Sequence, residues 1–238
     1  MANLSNADHD ITQMKNIYHR YIDLPFDFIK PDWKDVRRTY SKEQEEEKDM
    51  LNEYHDIKEK GDTDVYFCHT PENDEKVTEF LDRFNLFFDS KLLFYTKAND
   101  GIKVHIDNNK QEVYSIEENT LENFVDNHVK LNVTWEPKGG RIRWWDLNNK
   151  NDLEVHTHTN KGNGKTWSVA WAHQKDCKMV YEKTIDKPSL VNTGRPHSTY
   201  NPSKEGRLTL SYTLVKKSNL ELLTFPEALW LFDGLLSV

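Results

Sequence analysis

Cysteine is almost missing from this chain: Cys68 and Cys177 are the two in 238 residues. Two thiols cannot build a disulfide framework, and neither belongs to a Cys-x-x-Cys pair. A reducing compartment is therefore the expectation. The first residues, Met1 to Asp8, lack the basic region and apolar run of a signal peptide. No stretch approaches the ~18 consecutive apolar residues of a membrane span. Positive charge is also in deficit, with 32 Lys and Arg against 40 Asp and Glu and a net charge of -8. An acidic chain repels phosphate backbones, so general nucleic-acid binding is disfavoured. Neither an internal repeat nor the strand–helix rhythm of a parallel βαβ protein is visible.

What the chain does have is aromatic mass on a polar background. Charged residues make up 30% and mean hydropathy is -0.86. Against that stand 7 Trp, 10 Tyr and 11 Phe, whose large side chains can build a core in a chain of this polarity. The length suits one β-barrel with additions.

Three zones follow. Residues 1–90 read as a helix-leaning lead that packs on the body. Thr39 to Lys60 is dense in Glu and Lys, with Met50, Leu51, Tyr54 and Ile57 at helical spacing; a solvated helix with a narrow apolar stripe is expected there. Val77, Phe80, Leu81, Phe84, Phe87 and Phe88 predict a clearer helix from 77 to 88, introduced by Pro71 and the acidic residues after it. Residues 91–215 read as the core. Short strands are expected at 92–95, 103–107, 128–135, 141–147, 166–172, 177–183, 189–192, 197–200 and 207–215. Turns at Asn99-Asp100-Gly101, Lys138-Gly139-Gly140 and Asn201-Pro202-Ser203 read as hairpins. Such spacing predicts a mainly β sandwich or barrel with flanking helices. Residues 216–238 form an apolar tail in which Pro226 is placed to start a short helix covering the barrel. A subunit or assembly interface is the next reading of that tail.

The chemistry is carried by histidines and a carboxylate. A mononuclear iron site for O₂ chemistry needs one metal face held by protein and the other left open, and two imidazoles with one carboxylate provide that. His105-Ile106-Asp107 is a His-x-Asp pair, which on a strand places both side chains on one face. Ten His and 40 acidic residues yield on the order of one or two such pairs by chance, so the pair alone carries little. The second element is more specific: Val191-Asn-Thr-Gly-Arg-Pro-His197 is followed by the Asn201-Pro202-Ser203 turn and then Arg207. A hairpin centred on Pro202 would make His197 and Arg207 cross-strand neighbours with Cβ atoms ~5 Å apart. A guanidinium there suits a bidentate carboxylate.

On these residues, the chain resembles the Fe(II)/2-oxoglutarate-dependent dioxygenases, above all the small aspartyl/asparaginyl-hydroxylase-like members of bacteria and tailed phages. The resemblance covers roughly residues 91–215. It rests on His-x-Asp, a long spacer, and a His followed ten residues later by Arg; Leu131 to Trp135 and Arg141 to Trp145 resemble the central strand pair. It implies a double-stranded β-helix (jelly roll, cupin-like). His105, Asp107 and His197 would then bind Fe(II) as catalytic ligands. Arg207 would take the distal carboxylate of the cosubstrate 2-oxoglutarate, and Asn132 and Ser211 would contact the same ligand. The implied activity is oxidation of a small-molecule or peptide substrate that the sequence does not identify. The expected location is the cytoplasm, or the host cytoplasm if the chain is viral.

Other readings are kept. A non-catalytic jelly-roll binding or virion assembly protein with a vestigial metal site would show the same strands, because fold does not fix function. A cupin-type isomerase or sugar enzyme would bind metal without 2-oxoglutarate. Asp152 to Cys177 departs from the pattern: His156, His158 and His173 read as surface histidines on an edge hairpin, with a substrate loop or a Zn²⁺ site as rivals. Arg141 and Arg143 share a face and are read as solvent-exposed, the alternative being help with an anionic substrate. Trp144 and Trp145 point to opposite faces, at least one into the core.

Overall fold

The computed structural model describes residues 18–32, 63–66, 70–108, 127–135, 139–149, 153–159 and 166–237. The helix expected over Thr39–Lys60 and Cys68 lie outside them. The elements run β1 (His19–Ile22), β2 (Thr63–Tyr66), α1 (Pro71–Asp82), β3 (Leu86–Thr96), β4 (His105–Asn108), β5 (Val129–Thr134), β6 (Arg141–Leu147), β7 (Leu153–Thr159), β8 (Thr166–Ala172), β9 (Cys177–Thr184), β10 (Ser189–Asn192), β11 (His197–Tyr200), β12 (Arg207–Lys216), α2 (Phe225–Leu231) and β13 (Leu236–Ser237). Among the described residues, no helix is long and apolar enough to cross a membrane.

The strands form two antiparallel sheets. The larger has the order β13-β1-β10-β5-β12-β3-β2 and the smaller β7-β8-β4-β11-β6-β9. Their central orders are β10-β5-β12-β3 and β4-β11-β6-β9. From β3 to β6, and again from β9 to β12, every connection changes sheet. That winding is the double-stranded β-helix, the jelly roll of cupin-like proteins. The hairpin β7–β8 extends the smaller sheet beside β4, with β7 at its edge.

Several local expectations are corrected by this winding. The turns at 99–101, 139–140 and 201–203 are not hairpins; each carries the chain from one sheet to the other. The helix expected over 77–88 is α1, which starts at Pro71 with Glu72 and Asp74 in its first turn and stops at Asp82. Asn85 takes φ 57, reversing the chain, and Leu86-Phe87-Phe88 open β3. The helical spacing ran on across the boundary because the strand after it is apolar too. The core boundary expected at 91 thus falls inside β3, and the lead contributes β1 and β2 to the larger sheet.

The main apolar core lies outside the barrel. Alternation on β12 places Leu208, Leu210, Tyr212 and Leu214 on one face, where they meet Leu131 and Val133 of β5, Val77, Phe80 and Leu81 of α1, and Phe225, Ala228, Leu229 and Phe232 at the C-terminal helix. Burial of each large apolar side chain stabilises by about 1.5–3 kcal/mol. The half-buried Lys91–Asp74 pair and a bond from the Tyr212 hydroxyl to Asp74 pin α1 on the sheet. The tail covers the sheet, and its helix begins with a capping box between Thr224 and Glu227.

Candidate metal centre

The opposite face of the same strands points between the sheets. On β12 it carries Arg207, Thr209, Ser211 and Thr213; on β5, Lys130, Asn132 and Thr134. Across the larger sheet, Tyr21, Ser189, Asn132, Ser211 and Leu92 stand in one register row. The facing wall is different: Tyr181, Trp144, His197, His105 and Trp171 form one row across five strands of the smaller sheet. Two histidines thus sit inside an aromatic band. Tyr18 stacks on Trp144 and on Tyr181, closing the band at one end.

His105 and His197 are direct partners across β4 and β11, with ring centroids 4.2 Å apart. Asp107 lies two residues beyond His105 on the same face. One donor atom from each of the three lies within 4.8 Å of the others. Each imidazole is fixed from behind. Nδ1 of His105 is 2.7 Å from the Lys103 carbonyl, and Nδ1 of His197 is 2.9 Å from that of Arg195. A carbonyl only accepts, so both Nδ1 atoms carry a proton, and both Nε2 atoms, which supply the lone pair of a neutral ring, are left for the interior. Nε2 of His105 faces Oδ1 of Asp107 at 3.4 Å. Donors on one first-row ion at ~2.1 Å stand roughly 3–4 Å apart, so the donor set fits.

Electrostatics favour the metal-ready forms. Burial pushes the Asp107 carboxyl up, but the Lys130 ammonium, 2.8 Å from Oδ2, holds it well below the usual carboxylate range. Burial, then the neighbouring His105, lowers His197 to about 3. An ionised carboxylate and neutral imidazoles are the forms that bind metal.

Arg207 is placed differently from the sequence expectation. β11 and β12 belong to different sheets, so His197 and Arg207 are not cross-strand neighbours; they stand on facing walls. The turn between them is held by Asn201, wholly buried, whose amide donates to the carbonyls of Thr96, Lys97 and Glu205. Arg207 is 4% exposed. One guanidinium nitrogen donates to Thr134 Oγ1 and to the Ile185 carbonyl, and Nε has no partner among the described residues. No acidic side chain among those residues pairs with it. Burial lowers its pKa to about 10. Gly140 makes the space: a Cβ there would lie 2.0 Å from the guanidinium carbon. Asn132 and Ser211 are register partners joined by a 2.6 Å hydrogen bond on the same wall.

The remaining expectations sort by face. Arg141 and Arg143 point away from the interior and share Glu182, as solvent-side residues. Trp144 and Trp145 do take opposite faces, and both are buried. His156 and His158 lie on the edge strand β7; the three-residue group above is the one that could hold a metal among the described residues. Lys130 and Trp171, beside His105 with ring centroids 5.1 Å apart, were missed. The signal for Lys130 was present: in Val129 to Thr134 every second residue is apolar, which commits Lys130, Asn132 and Thr134 to the other face.

No family model matches the chain, and no curated protein matches it. Solved structures do. An oxalate oxidase bound to glycolate matches at 10% identity and TM-score 0.27, over 63% of this chain and 51% of that one. An acetylacetone dioxygenase from Acinetobacter johnsonii matches at 8% identity and TM-score 0.21, over 75% and 83%. A second oxalate oxidase structure matches at 13% identity and TM-score 0.23, over 69% and 55%. The chain spans about half the length of the oxalate oxidases. Such scores decide nothing about chemistry; the fold follows from strand order alone.

Proposed function

We propose that the chain is an Fe(II)- and 2-oxoglutarate-dependent oxygenase that hydroxylates a small-molecule or peptide substrate. One observation carries the reading. A buried guanidinium with no carboxylate partner among the described residues faces, from the opposite wall of one barrel, a cluster of two histidines and an ionised carboxylate. A buried cation of that kind is costly unless a ligand supplies the anion, and a dicarboxylate answers both sites at once.

In this reading His105, Asp107 and His197 hold Fe(II), which, with the keto acid, supplies oxidative decarboxylation coupled to O₂ activation. The Lys103 and Arg195 carbonyls fix both imidazole tautomers. Arg207 takes the distal carboxylate, with Gly140 leaving it room and Thr134 orienting it. Asn132 and Ser211 present polar groups on the wall between. Trp171 and Trp144 flank the histidines and exclude water from the reacting face.

The test is anaerobic addition of Fe(II) and 2-oxoglutarate to the folded protein. The visible charge-transfer band of the iron–keto-acid chelate is expected, and His197→Ala should remove it. Folded wild-type protein that shows no band would favour a non-catalytic jelly roll; tight metal binding with no response to 2-oxoglutarate would favour another metal-dependent reaction.

A further inference from the structure

Beside the metal donors stands a buried cation that neither iron nor keto acid engages. Lys130 is 3% exposed, on the inner face of β5. An ammonium carries three donors. One meets Asp107 Oδ2 at 2.8 Å, and the other two have no acceptor among the described residues. The register neighbours of Lys130, Val191 and Thr213, are not acids. Lys130 also lies across the metal donors from Arg207. β4 and β6 both run antiparallel to β11, so they run the same way. From the row of His105, His197 and Trp144, Asp107 lies two residues to one side on β4. Gly140, against which the Arg207 guanidinium lies, is four residues to the other side on β6. On the facing wall, Arg207 and Thr213, the register partner of Lys130, stand roughly 20 Å apart along β12 at ~3.3 Å per residue. A diacid that runs from Arg207 to the metal has one carboxylate for each, and Lys130 is left for a different anion. Charge points the same way. Lys130 and Asp107 cancel, and two carboxylates cancel a divalent ion. The charge of Arg207 then remains, and buried charge without compensation is strongly unfavourable. One carboxylate balances it; a phosphate monoester, with a charge of about -1.5 to -2, would overshoot.

We infer that Lys130 selects the substrate, and that the substrate is a carboxylic acid, free or within a peptide. Its carboxylate takes the two open donors of the ammonium, as charge-assisted hydrogen bonds of the strong kind. Asp107 holds the ammonium from the other side and fixes where the substrate sits, next to the metal donors and away from the Arg207 anchor. Lys130 binds and orients; it transfers no proton and no electron. The inference rests on the oxygenase reading above and adds the class of molecule oxidised.

Proton NMR of small probes tests it, with the full chain in excess over Mn(II) and saturated with 2-oxoglutarate. Acetate, propanoate and phenylacetate are compared with acetamide, propanamide and phenylacetamide, and broadening by the bound Mn(II) reports a probe held beside the metal. In the wild type the acids should be broadened and the amides should bind about tenfold more weakly or worse, the scale of a hydrogen bond to a charged group. Lys130→Met should weaken the acids by about tenfold or more, while the anaerobic chelate band of Fe(II) and 2-oxoglutarate persists. Lys130→Arg keeps the cation and should keep the acids within about threefold of wild type. Amides that bind as well as acids overturn the inference, and that comparison needs no variant. Acids that bind Lys130→Met as they bind wild type overturn it too. So does wild-type protein that forms the chelate but broadens no acid, and the oxygenase reading then stands. Protein that forms no chelate sinks that reading, and this inference with it, a result told apart by the missing band.

Discussion

The two faces of the larger sheet are made by the same strands and have opposite compositions. Outward, β12 presents Leu208, Leu210, Tyr212 and Leu214, sealed under α1 and α2; inward it presents Arg207, Thr209, Ser211 and Thr213. A stable sandwich would make the inward face apolar too. Here the stabilising core has been moved to the outside of the barrel, and the inside keeps buried charge. Local rules broken at such a place point to a site rather than to poor folding. Stability and chemistry are therefore separable by residue parity, and substitutions on each face should fail in different ways.

The largest separation is expected at His197. His197→Ala should lose metal affinity by about 100-fold or more, the scale of losing a ligand rather than an outer partner. Its metal-free melting temperature should stay close to wild type. Leu210→Ala, one register step from Ser211 but outward, should show the reverse. It should lose about 2–5 kcal/mol in denaturant unfolding, and its folded fraction should keep the wild-type Mn(II) affinity. If Leu210→Ala alters metal affinity directly, the two faces are not independent.

On the inner face, the anchor and the ion can be separated further. Arg207→Met should weaken 2-oxoglutarate by about 10–150-fold, the scale of a charged hydrogen bond of about 1.5–3 kcal/mol. Metal binding without anion should not weaken. Gly140→Ala should act in the same direction through its clash with the guanidinium. A ligand titration that finds Arg207→Met unchanged would break the anchor assignment.

A smaller effect comes from pH. Burial lowers His19 to about 4 from 6.5, and lowers His197 further. As pH falls, the unfolded chain takes up these protons first. Their contribution to stability is full above 6.5 and is lost as pH drops from there toward 4. Metal-free protein should therefore melt lower at pH 5 than at pH 7, and His19→Gln should flatten that slope. The smallest change is Thr224→Ala, which removes the capping box of α2 and should cost about 1 kcal/mol with the metal site untouched.

Much of this was legible in the residues. The strands at β5, β6 and β10 to β12 stand close to their expected positions, because alternation and Gly, Pro and Asn turns mark them. His105, Asp107 and His197 are implied by the family resemblance that the His-x-Asp pair and the late His carry, and the fold brings their donor atoms together. What escaped was everything that depends on which sheet a strand joins. Asn201-Pro202-Ser203 has the composition of a hairpin turn, yet the chain crosses the barrel there, so Arg207 faces His197 instead of flanking it. Lys130 escaped for a related reason: alternation told its face, but only the closing of the two sheets shows that Asp107 is opposite. The end of α1 was unreadable because Phe84, Phe87 and Phe88 keep a helical spacing through a turn made by Asn85.

The decisive measurement is an anomalous-diffraction map of crystals grown with Mn(II) and 2-oxoglutarate. One Mn(II) peak is expected among His105 Nε2, Asp107 Oδ1 and His197 Nε2, with the ligand's far carboxylate on the Arg207 guanidinium. A peak elsewhere, or a keto acid whose far end leaves Arg207 untouched, would contradict it.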